Sequence, residues 1–187
     1  MNHALTPSQT IGPFYWGTLV NTCRADLAPP GVAGERIELV LSLFDAEGAL
    51  IPDGLLEIWQ ANSHGRYNHP DDRRNLPLDA GFEGFGRAST DTRGEAHFTT
   101  VRPGRVPWPA GGMQAAHVNI SVFARGVLNR FATRLYFDGD PALAEDPVLK
   151  LVDAARRSTL IAKRDSAGIW CLPIHIGGAH ETVFFDC

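Results

Sequence analysis

The sequence is poor in cysteine, in basic charge and in long apolar runs, and each shortage excludes a class of protein. Its three cysteines, Cys23, Cys171 and Cys187, are widely spaced and form no Cys-x-x-Cys pair. An odd number at such spacing indicates neither a structural zinc site nor a disulfide framework. We expect ordinary reduced thiols, which are typical of a cytoplasmic protein.

Charge and hydropathy exclude two kinds of partner. Lys and Arg number 17 against 21 Asp and Glu, a net charge of −4. Nucleic acids and anionic membranes are bound by basic surfaces, so we expect neither as a partner. No apolar run approaches the roughly 20 residues of a membrane span. The opening MNHALTP lacks the charged-then-apolar layout of a signal peptide. We therefore expect a cytoplasmic location.

What the chain does contain is a globular composition with frequent turns. Of its 187 residues, 44% are hydrophobic and 20% charged, and 19 are glycine and 13 proline. These values predict a single domain over 1–187, mainly β, built from many short strands. Strict alternation over 36–44 predicts a half-buried strand, with its buried face formed by Ile37, Leu39, Leu41 and Leu43. Further strands are predicted at 55–60, 95–101, 116–124, 132–137, 159–162, 169–176 and 183–185. The strands at 159–162 and 169–176 are predicted to form a hairpin.

Three segments depart from the strand pattern. Residues 1–35 form an N-terminal arm whose large apolar residues at 11–16 dock either on the chain's own core or on a partner. Residues 147–157 are predicted to be a short helix, because Pro147 suits a first turn and apolar residues share one face. The long loop 62–89 is a candidate for function, and its DDRR stretch (71–74) is interpreted as a solvated loop.

Several short motifs, taken in order along the chain, point to one family. They are WQANSHGRY (59–67), GRASTD (86–91), TVRPG (100–104), AHVNI (116–120) and TRLYF (133–137). In order and spacing, from about Thr6 to the C-terminus, the chain resembles the intradiol ring-cleaving dioxygenases. The resemblance implies a β-sandwich of intradiol dioxygenase type with an N-terminal arm and one or two short helices. It also implies a non-haem ferric site held by two tyrosines and two histidines.

Only half of the family's iron ligands have a counterpart. Tyr67 matches the first tyrosine and His117 the first histidine. Val106 stands where the second tyrosine belongs, and Asn119 where the second histidine belongs. Valine has no ligand atom, and an amide is a poor ligand for a transition metal. These four positions are therefore vestigial, and we expect this chain alone to hold no catalytic iron or other metal.

Within the family, the chain is similar to the metal-free α type of chain. The similarity lies in TPSQTIGP (6–13), ISVFARG (120–126), LIAKR (160–164) and ETVFFD (181–186). Such chains pair with an iron-bearing β subunit, as α–β protomers of a larger hetero-oligomer. The resemblance thus implies that Fe(3+) belongs to the β subunit, whose site cleaves 3,4-dihydroxybenzoate with O2 to 3-carboxy-cis,cis-muconate.

The resemblance also implies which residues of this chain bind the small aromatic acid. The residues of the arm that line the β subunit's pocket are Thr10, Gly12, Pro13 and Phe14. Arg134 supplies a guanidinium for the substrate's carboxylate. The alternative for Arg134 is a structural ion pair with Asp138 or Asp140. Gln114 stands where the family has an arginine beside the bound catechol.

Two other classes of function stay open. One is a stand-alone sandwich binding module that uses the degenerate metal site as its pocket. The other is a self-sufficient hydrolase or oxidoreductase, for which the sequence offers no Gly-x-Ser-x-Gly motif, acidic pair or glycine-rich phosphate loop. An obligate subunit differs from a stand-alone module by a large apolar interface.

Overall fold

A computed structural model describes residues 17–186 and shows a mainly β architecture. The strands in this range are β1 (Arg36–Phe44), β2 (Leu55–Trp59), β3 (Phe85–Ser89), β4 (Glu95–Val101), β5 (Val106–Pro107), β6 (Met113–Gln114), β7 (His117–Phe123), β8 (Phe131–Phe137), β9 (Ile161–Arg164) and β10 (Trp170–His175). Eight of them form one hydrogen-bonded series, β3-β2-β7-β8-β9-β10-β1-β4, and β5 pairs with β6 in a separate ribbon.

The eight-stranded series folds over into two layers, which confirms the expected β-sandwich. β3, β2, β7 and β8 form one layer, and β9, β10, β1 and β4 form the other. The parallel pairing of β8 with β9 joins the two layers. Their inner faces meet in one core cluster, to which β7 contributes Val118, Ile120 and Val122 and β1 contributes Ile37, Leu39, Leu41 and Leu43. The alternation predicted for 36–44 is thus confirmed.

Residues 24–27 close the sandwich along its open side. Arg24 pairs with Arg87 at the β3 edge, and Asp26 forms a bridge with Thr99 at the β4 edge. Leu27 is buried beneath them, against Gly86, where a Cβ atom would collide with the leucine side chain. Both edges of the series are thereby partly covered by the chain itself, which limits edge-to-edge aggregation.

The predicted strands at 55–60, 95–101, 116–124 and 132–137 are confirmed to within one residue at each end. The hairpin is confirmed as well, since β9 and β10 are antiparallel. The long loop predicted at 62–89 is shorter in the structure, however, because β3 occupies its last five residues. Gly86 and Arg87 interrupt the apolar pattern of β3, so alternation did not reveal it. The strand predicted at 183–185 is only an isolated bridge between Phe185 and Ala132.

The helix predicted over 147–157 is wrong. The described residues contain four short 3₁₀ helices instead, at Val20–Thr22, Pro141–Glu145, Leu149–Leu151 and Arg157–Leu160. Asp146 caps the start of this segment, because its carboxylate accepts hydrogen bonds from the N–H groups of Val148 and Leu149. The helix nevertheless ends after one turn, because the backbone at Val152 is extended, with φ −87° and ψ 137°. Leu151, expected on the buried face, is 79% exposed.

Two expectations lie at the boundary of what the structure describes. Thr10, Gly12, Pro13 and Phe14, the predicted substrate-binding residues of the arm, lie outside residues 17–186. Within the described part of the chain, no helix is long and apolar enough to cross a membrane.

Candidate functional site

The vestigial ligand positions come together because a loop lies directly on the ribbon that follows β4. The N–H of Gly104 donates to the carbonyl oxygen of Asn62 at 2.8 Å. A Cβ atom on Gly65 would collide with the carbonyl oxygen of Arg105, and one on Gly104 with the backbone of Gly65. These close approaches place the Tyr67 loop beside Val106 in β5, which is 3% exposed.

Tyr67 is held against the sheet as a neutral phenol. Its ring stacks on Trp59 of β2, with centroids 5.7 Å apart and planes inclined by 16°. Asn119, the cross-strand neighbour of Trp59, hydrogen-bonds the Tyr67 side chain and donates to the Trp59 carbonyl oxygen at 3.2 Å. Burial raises the pKa of Tyr67, and this outweighs the Asn119 hydrogen bond and the nearby Arg134 charge, which lower it.

His117 is a buried, neutral imidazole. It is 3% exposed, and its Nδ1 lies 2.8 Å from the carbonyl oxygen of Ala115. Burial, helped by the positive charge of Arg134, lowers the pKa of His117 to about 4. The ring also lies beside Tyr136, at a centroid distance of 5.7 Å. His117 and Asn119 are two residues apart on β7, so they project from the same side of this strand.

Arg134 projects from β8 into the same group of side chains. It is opposite Asn119 in the register of β7 and β8. Its Nη1 donates to Gln114 Oε1 at 2.8 Å and to the Tyr136 hydroxyl at 3.2 Å. The ion pairs within residues 17–186 include none between Arg134 and Asp138 or Asp140, and Asp140 pairs with Arg102 at 2.9 Å. A guanidinium from β8 therefore lies beside Gln114.

Two residues that the sequence analysis missed, Tyr136 and Asp146, connect this group to the core. The Tyr136 hydroxyl donates to Asp146 Oδ1 at 3.3 Å, and Asp146 Oδ2 accepts from the Ala115 N–H at 2.7 Å. Burial raises the pKa of Tyr136, so it stays a neutral donor. The signal for Tyr136 was available, because it lies two residues after Arg134 on one strand. Asp146 had no such signal.

The loop at 71–74 is structured rather than solvated. The Asp72 side chain is 8% exposed and accepts from the Tyr67 N–H at 2.8 Å. Arg74 donates to Asp72 Oδ1 at 2.8 Å and to the Gly65 carbonyl oxygen at 2.6 Å. The Arg74 hydrogen bonds hold the pKa of Asp72 well below its usual range. The interpretation of this stretch as a freely solvated loop is wrong at Asp72 and Arg74.

Three of the four vestigial positions border a cavity. Tyr67 and Val106 line an open cavity of about 880 Å³, together with Trp59 and residues of the 71–74 loop. Asn119 and Arg134 line another, of about 690 Å³, together with Trp108 and the C-terminal segment. His117 lines neither of these two cavities and is buried.

These residues do not fit a ferric ion. The group offers two possible ligands, the Tyr67 phenol and the His117 imidazole, while an alkyl side chain and an amide stand at the other two positions. Arg134 adds a fixed positive charge that bears on both Tyr67 and His117, which opposes the binding of a trivalent cation. The described residues do hold one cluster of ligand types elsewhere, at Asp91, Glu95 and His97. Arg93 already pairs with both of its carboxylates.

Comparison with known proteins shows where this arrangement belongs. The family model described as "Dioxygenase" matches residues 18–170. The protocatechuate 3,4-dioxygenase alpha chain of Pseudomonas putida is 43% identical, and that of Burkholderia cepacia 38% identical, each over 97% of this chain and 96% of the relative. The protocatechuate 3,4-dioxygenase beta chain of Burkholderia cepacia is 39% identical over 70% of this chain and 56% of the relative.

A solved structure shares the fold. The catechol 1,2-dioxygenase of Pseudomonas arvilla C-1 superimposes with a TM-score of 0.63 at 21% identity, over 82% of this chain and 56% of that chain. The order of motifs, the two-layered sandwich and the matches over nearly the whole length agree with one another. The chain belongs to the intradiol ring-cleavage dioxygenase family.

Proposed function

We propose that this chain is the iron-free α-type subunit of a protocatechuate 3,4-dioxygenase. In this role it helps form the site of an iron-bearing β subunit, which cleaves 3,4-dihydroxybenzoate with O2 to 3-carboxy-cis,cis-muconate. The observation that carries the proposal is the incomplete ligand set: Val106 and Asn119 accompany Tyr67 and His117, and the positive charge of Arg134 acts on both of the latter. The near full-length similarity to two alpha chains supports the same role.

The division of labour follows from the residues present. A ferric ion held by the β subunit would supply the oxygen chemistry. This chain supplies binding surface: Thr10, Gly12, Pro13 and Phe14 of the arm are proposed to line the β subunit's pocket. Arg134 is proposed to attract the ring carboxylate, since a guanidinium forms strong, directional hydrogen bonds to carboxylates. The composition and the reduced thiols support a cytoplasmic location.

Metal analysis of the chain expressed alone and together with a β-type chain tests the proposal. Alone, the chain should contain no stoichiometric iron, should be colourless and should leave 3,4-dihydroxybenzoate unchanged. Coexpressed, the two chains should copurify, with iron in proportion to the β chain and the visible absorption of tyrosinate bound to ferric iron. Stoichiometric iron and colour in the isolated chain would refute the proposal.

The substrate role of Arg134 has its own test in the assembled enzyme. Arg134→Gln should raise KM for 3,4-dihydroxybenzoate with less effect on kcat, because a ground-state contact is lost. A charged hydrogen bond contributes about 1.5–3 kcal/mol, so kcat/KM should fall roughly 10- to 100-fold. Arg134→Lys should recover part of the loss, and catechol, which has no carboxylate, should be nearly unaffected. Equal losses for both substrates would assign Arg134 to the fold or the interface.

A stand-alone binding module is the second candidate, because the cavity of about 690 Å³ is formed by this chain's own residues. Copurification distinguishes the two. A chain that stays monomeric, and whose melting temperature does not change when a β-type chain is added, would favour the binding module.

A further inference from the structure

Arg134 is held by two neutral, buried acceptors. Both of its hydrogen bonds within residues 17–186 come from Nη1, to Gln114 Oε1 at 2.8 Å and to the Tyr136 hydroxyl at 3.2 Å. Gln114 and Tyr136 are themselves buried. A guanidinium carries five N–H groups on three nitrogens, so anchoring through Nη1 fixes its position and leaves Nε and Nη2 as further donors.

Each of the two acceptors is oriented by a third group. Gln114 Nε2 donates to the Pro107 carbonyl oxygen at 3.0 Å, which directs Oε1 toward Arg134. The Tyr136 hydroxyl has one proton and donates it to Asp146 Oδ1 at 3.3 Å, so a lone pair of its oxygen faces Arg134. Without these partners, the amide could present its N–H groups, or the hydroxyl its proton, to the guanidinium, and that arrangement would be repulsive.

Asp146 supplies negative charge at a distance of one hydroxyl group from the guanidinium. Its carboxylate is fully buried and is fixed by the backbone N–H groups of Ala115, Val148 and Leu149. The ion pairs of the described residues include none between Asp146 and Arg134. A carboxylate in direct contact would use the forked donors that bind a ligand's carboxylate, whereas a hydroxyl uses part of one nitrogen. The fold thus orders Arg134 without neutralising it.

We infer that Tyr136 and Gln114 are positioning residues, which together with Asp146 hold the Arg134 guanidinium in one orientation before the substrate binds. The inference rests on the proposed function, in which Arg134 meets the carboxylate of 3,4-dihydroxybenzoate. A long side chain that is already ordered loses less conformational entropy on binding, so the same contact gives a lower KM. Neither Tyr136 nor Gln114 needs to touch the substrate for this effect.

Crystals of the assembly in which the chain purifies test the positioning role without any substrate. In Tyr136→Phe the ring stays and the hydroxyl is lost, so the Arg134 guanidinium should leave its wild-type position or occupy several. The matched control is Thr90→Val, because Thr90 also has a buried hydroxyl, which donates to the Ile51 carbonyl oxygen at 2.7 Å. Thr90 follows β3, which β2 and β7 separate from β8, so this variant should leave Arg134 unchanged. An unchanged guanidinium in Tyr136→Phe would overturn the inference.

Kinetics of the enzyme assembled with a β-type chain test whether Tyr136 acts through Arg134. Tyr136→Phe should raise KM for 3,4-dihydroxybenzoate about 2- to 12-fold, as expected for one neutral hydrogen bond, with little change in kcat or in the kinetics of catechol. In the Arg134→Gln background the same change should alter KM less than about twofold, because the group that Tyr136 positions is already gone. Additive effects, or equal losses for both substrates, would overturn the inference.

Gln114→Glu gives a second test, which remains if Tyr136→Phe fails to fold. A carboxylate at this position would pair with Arg134 directly and occupy the donors that the substrate needs. KM for 3,4-dihydroxybenzoate should therefore rise at least about tenfold, the effect of one charged hydrogen bond. The uncharged Gln114→Met removes the acceptor alone and should raise KM less. An unchanged KM in Gln114→Glu, beside a raised KM in Arg134→Gln, would overturn the inference.

The outcomes also separate this inference from the proposed function. If Arg134→Gln leaves KM for 3,4-dihydroxybenzoate unchanged, the substrate role of Arg134 fails, while a displaced guanidinium in crystals of Tyr136→Phe still supports the positioning role. A raised KM in Arg134→Gln together with an unmoved guanidinium in Tyr136→Phe overturns the positioning role alone.

Discussion

Two charged side chains flank Tyr136, and the fold treats them in opposite ways. Asp146 is fully buried, and its carboxylate accepts hydrogen bonds from the N–H groups of Ala115, Val148 and Leu149 and from the Tyr136 hydroxyl. Arg134 is half-buried, contacts neutral groups and borders a cavity. A charged group whose hydrogen bonds are all made within its own chain, here called a saturated charge, organises local structure. A charged group beside a cavity with hydrogen-bond donors left over, here called an unsaturated charge, is available to a ligand.

The largest expected effect comes from removing the saturated charge. Asp146→Ala leaves three backbone N–H groups without their acceptor. Unsatisfied buried donors are costly, so the free energy of unfolding should fall by about 3–5 kcal/mol, measured by urea denaturation. Asp146→Asn keeps one carbonyl oxygen as acceptor and should lose less. Equal, small losses in both variants would mean that the 3₁₀ segments do not depend on this carboxylate.

Acid should destabilise the protein through His117, which lies between the two charges. Its pKa is lowered from 6.5 to about 4 in the folded state, so below pH 6.5 the unfolded chain binds a proton that the folded chain does not. Stability is therefore lost as pH falls from 6.5 to 4, by about 3 kcal/mol from this group. Urea denaturation across this range should show a shallower pH dependence for His117→Gln than for the wild type. Identical slopes would contradict a neutral, buried imidazole.

The Tyr67 hydroxyl should have a moderate effect. Tyr67→Phe removes its hydrogen bond with Asn119 but keeps the stack on Trp59. We expect a loss of about 0.5–1.5 kcal/mol in the free energy of unfolding, the net contribution of one hydrogen bond. Tyr67→Ala, which also removes the stacked ring, should cost more. A Phe variant as unstable as the Ala variant would show that the hydroxyl, not the ring, holds the loop.

The smallest effect on stability should come from the unsaturated charge. Arg134→Gln should change the free energy of unfolding by less than about 1 kcal/mol, because its partners are neutral and its site is open to solvent. The same variant should raise the pKa of His117 above about 4, since the Arg134 charge helps to lower it. Proton NMR titration of the imidazole measures this shift. A stability loss as large as that of Asp146→Ala would remove the contrast between the two charges.

The structure at Asp72 differs from the solvated loop that composition predicts. DDRR at 71–74 has the composition of a solvated loop, yet Asp72 is buried by the Tyr67 loop and held by Arg74. Likewise, the apolar spacing at 147–157 predicted a helix, but the backbone turns extended at Val152 and only short 3₁₀ turns form. Composition alone reveals neither the side-chain hydrogen bond that orders a loop nor the backbone conformation that ends a turn.

The sequence by itself determined the mainly β character and the central strands, because side-chain alternation can be read along the chain. The sandwich type and the expectation that Val106 and Asn119 replace two ligands came from the resemblance of its motifs to a family. Only the tertiary structure decided that Arg134 donates to Gln114, that Tyr136 connects Arg134 to the buried Asp146, and that Tyr67 and Asn119 line different cavities. The reason is physical: these contacts join residues far apart in sequence, and their geometry is set by strand register and by the close packing of a loop on two glycines.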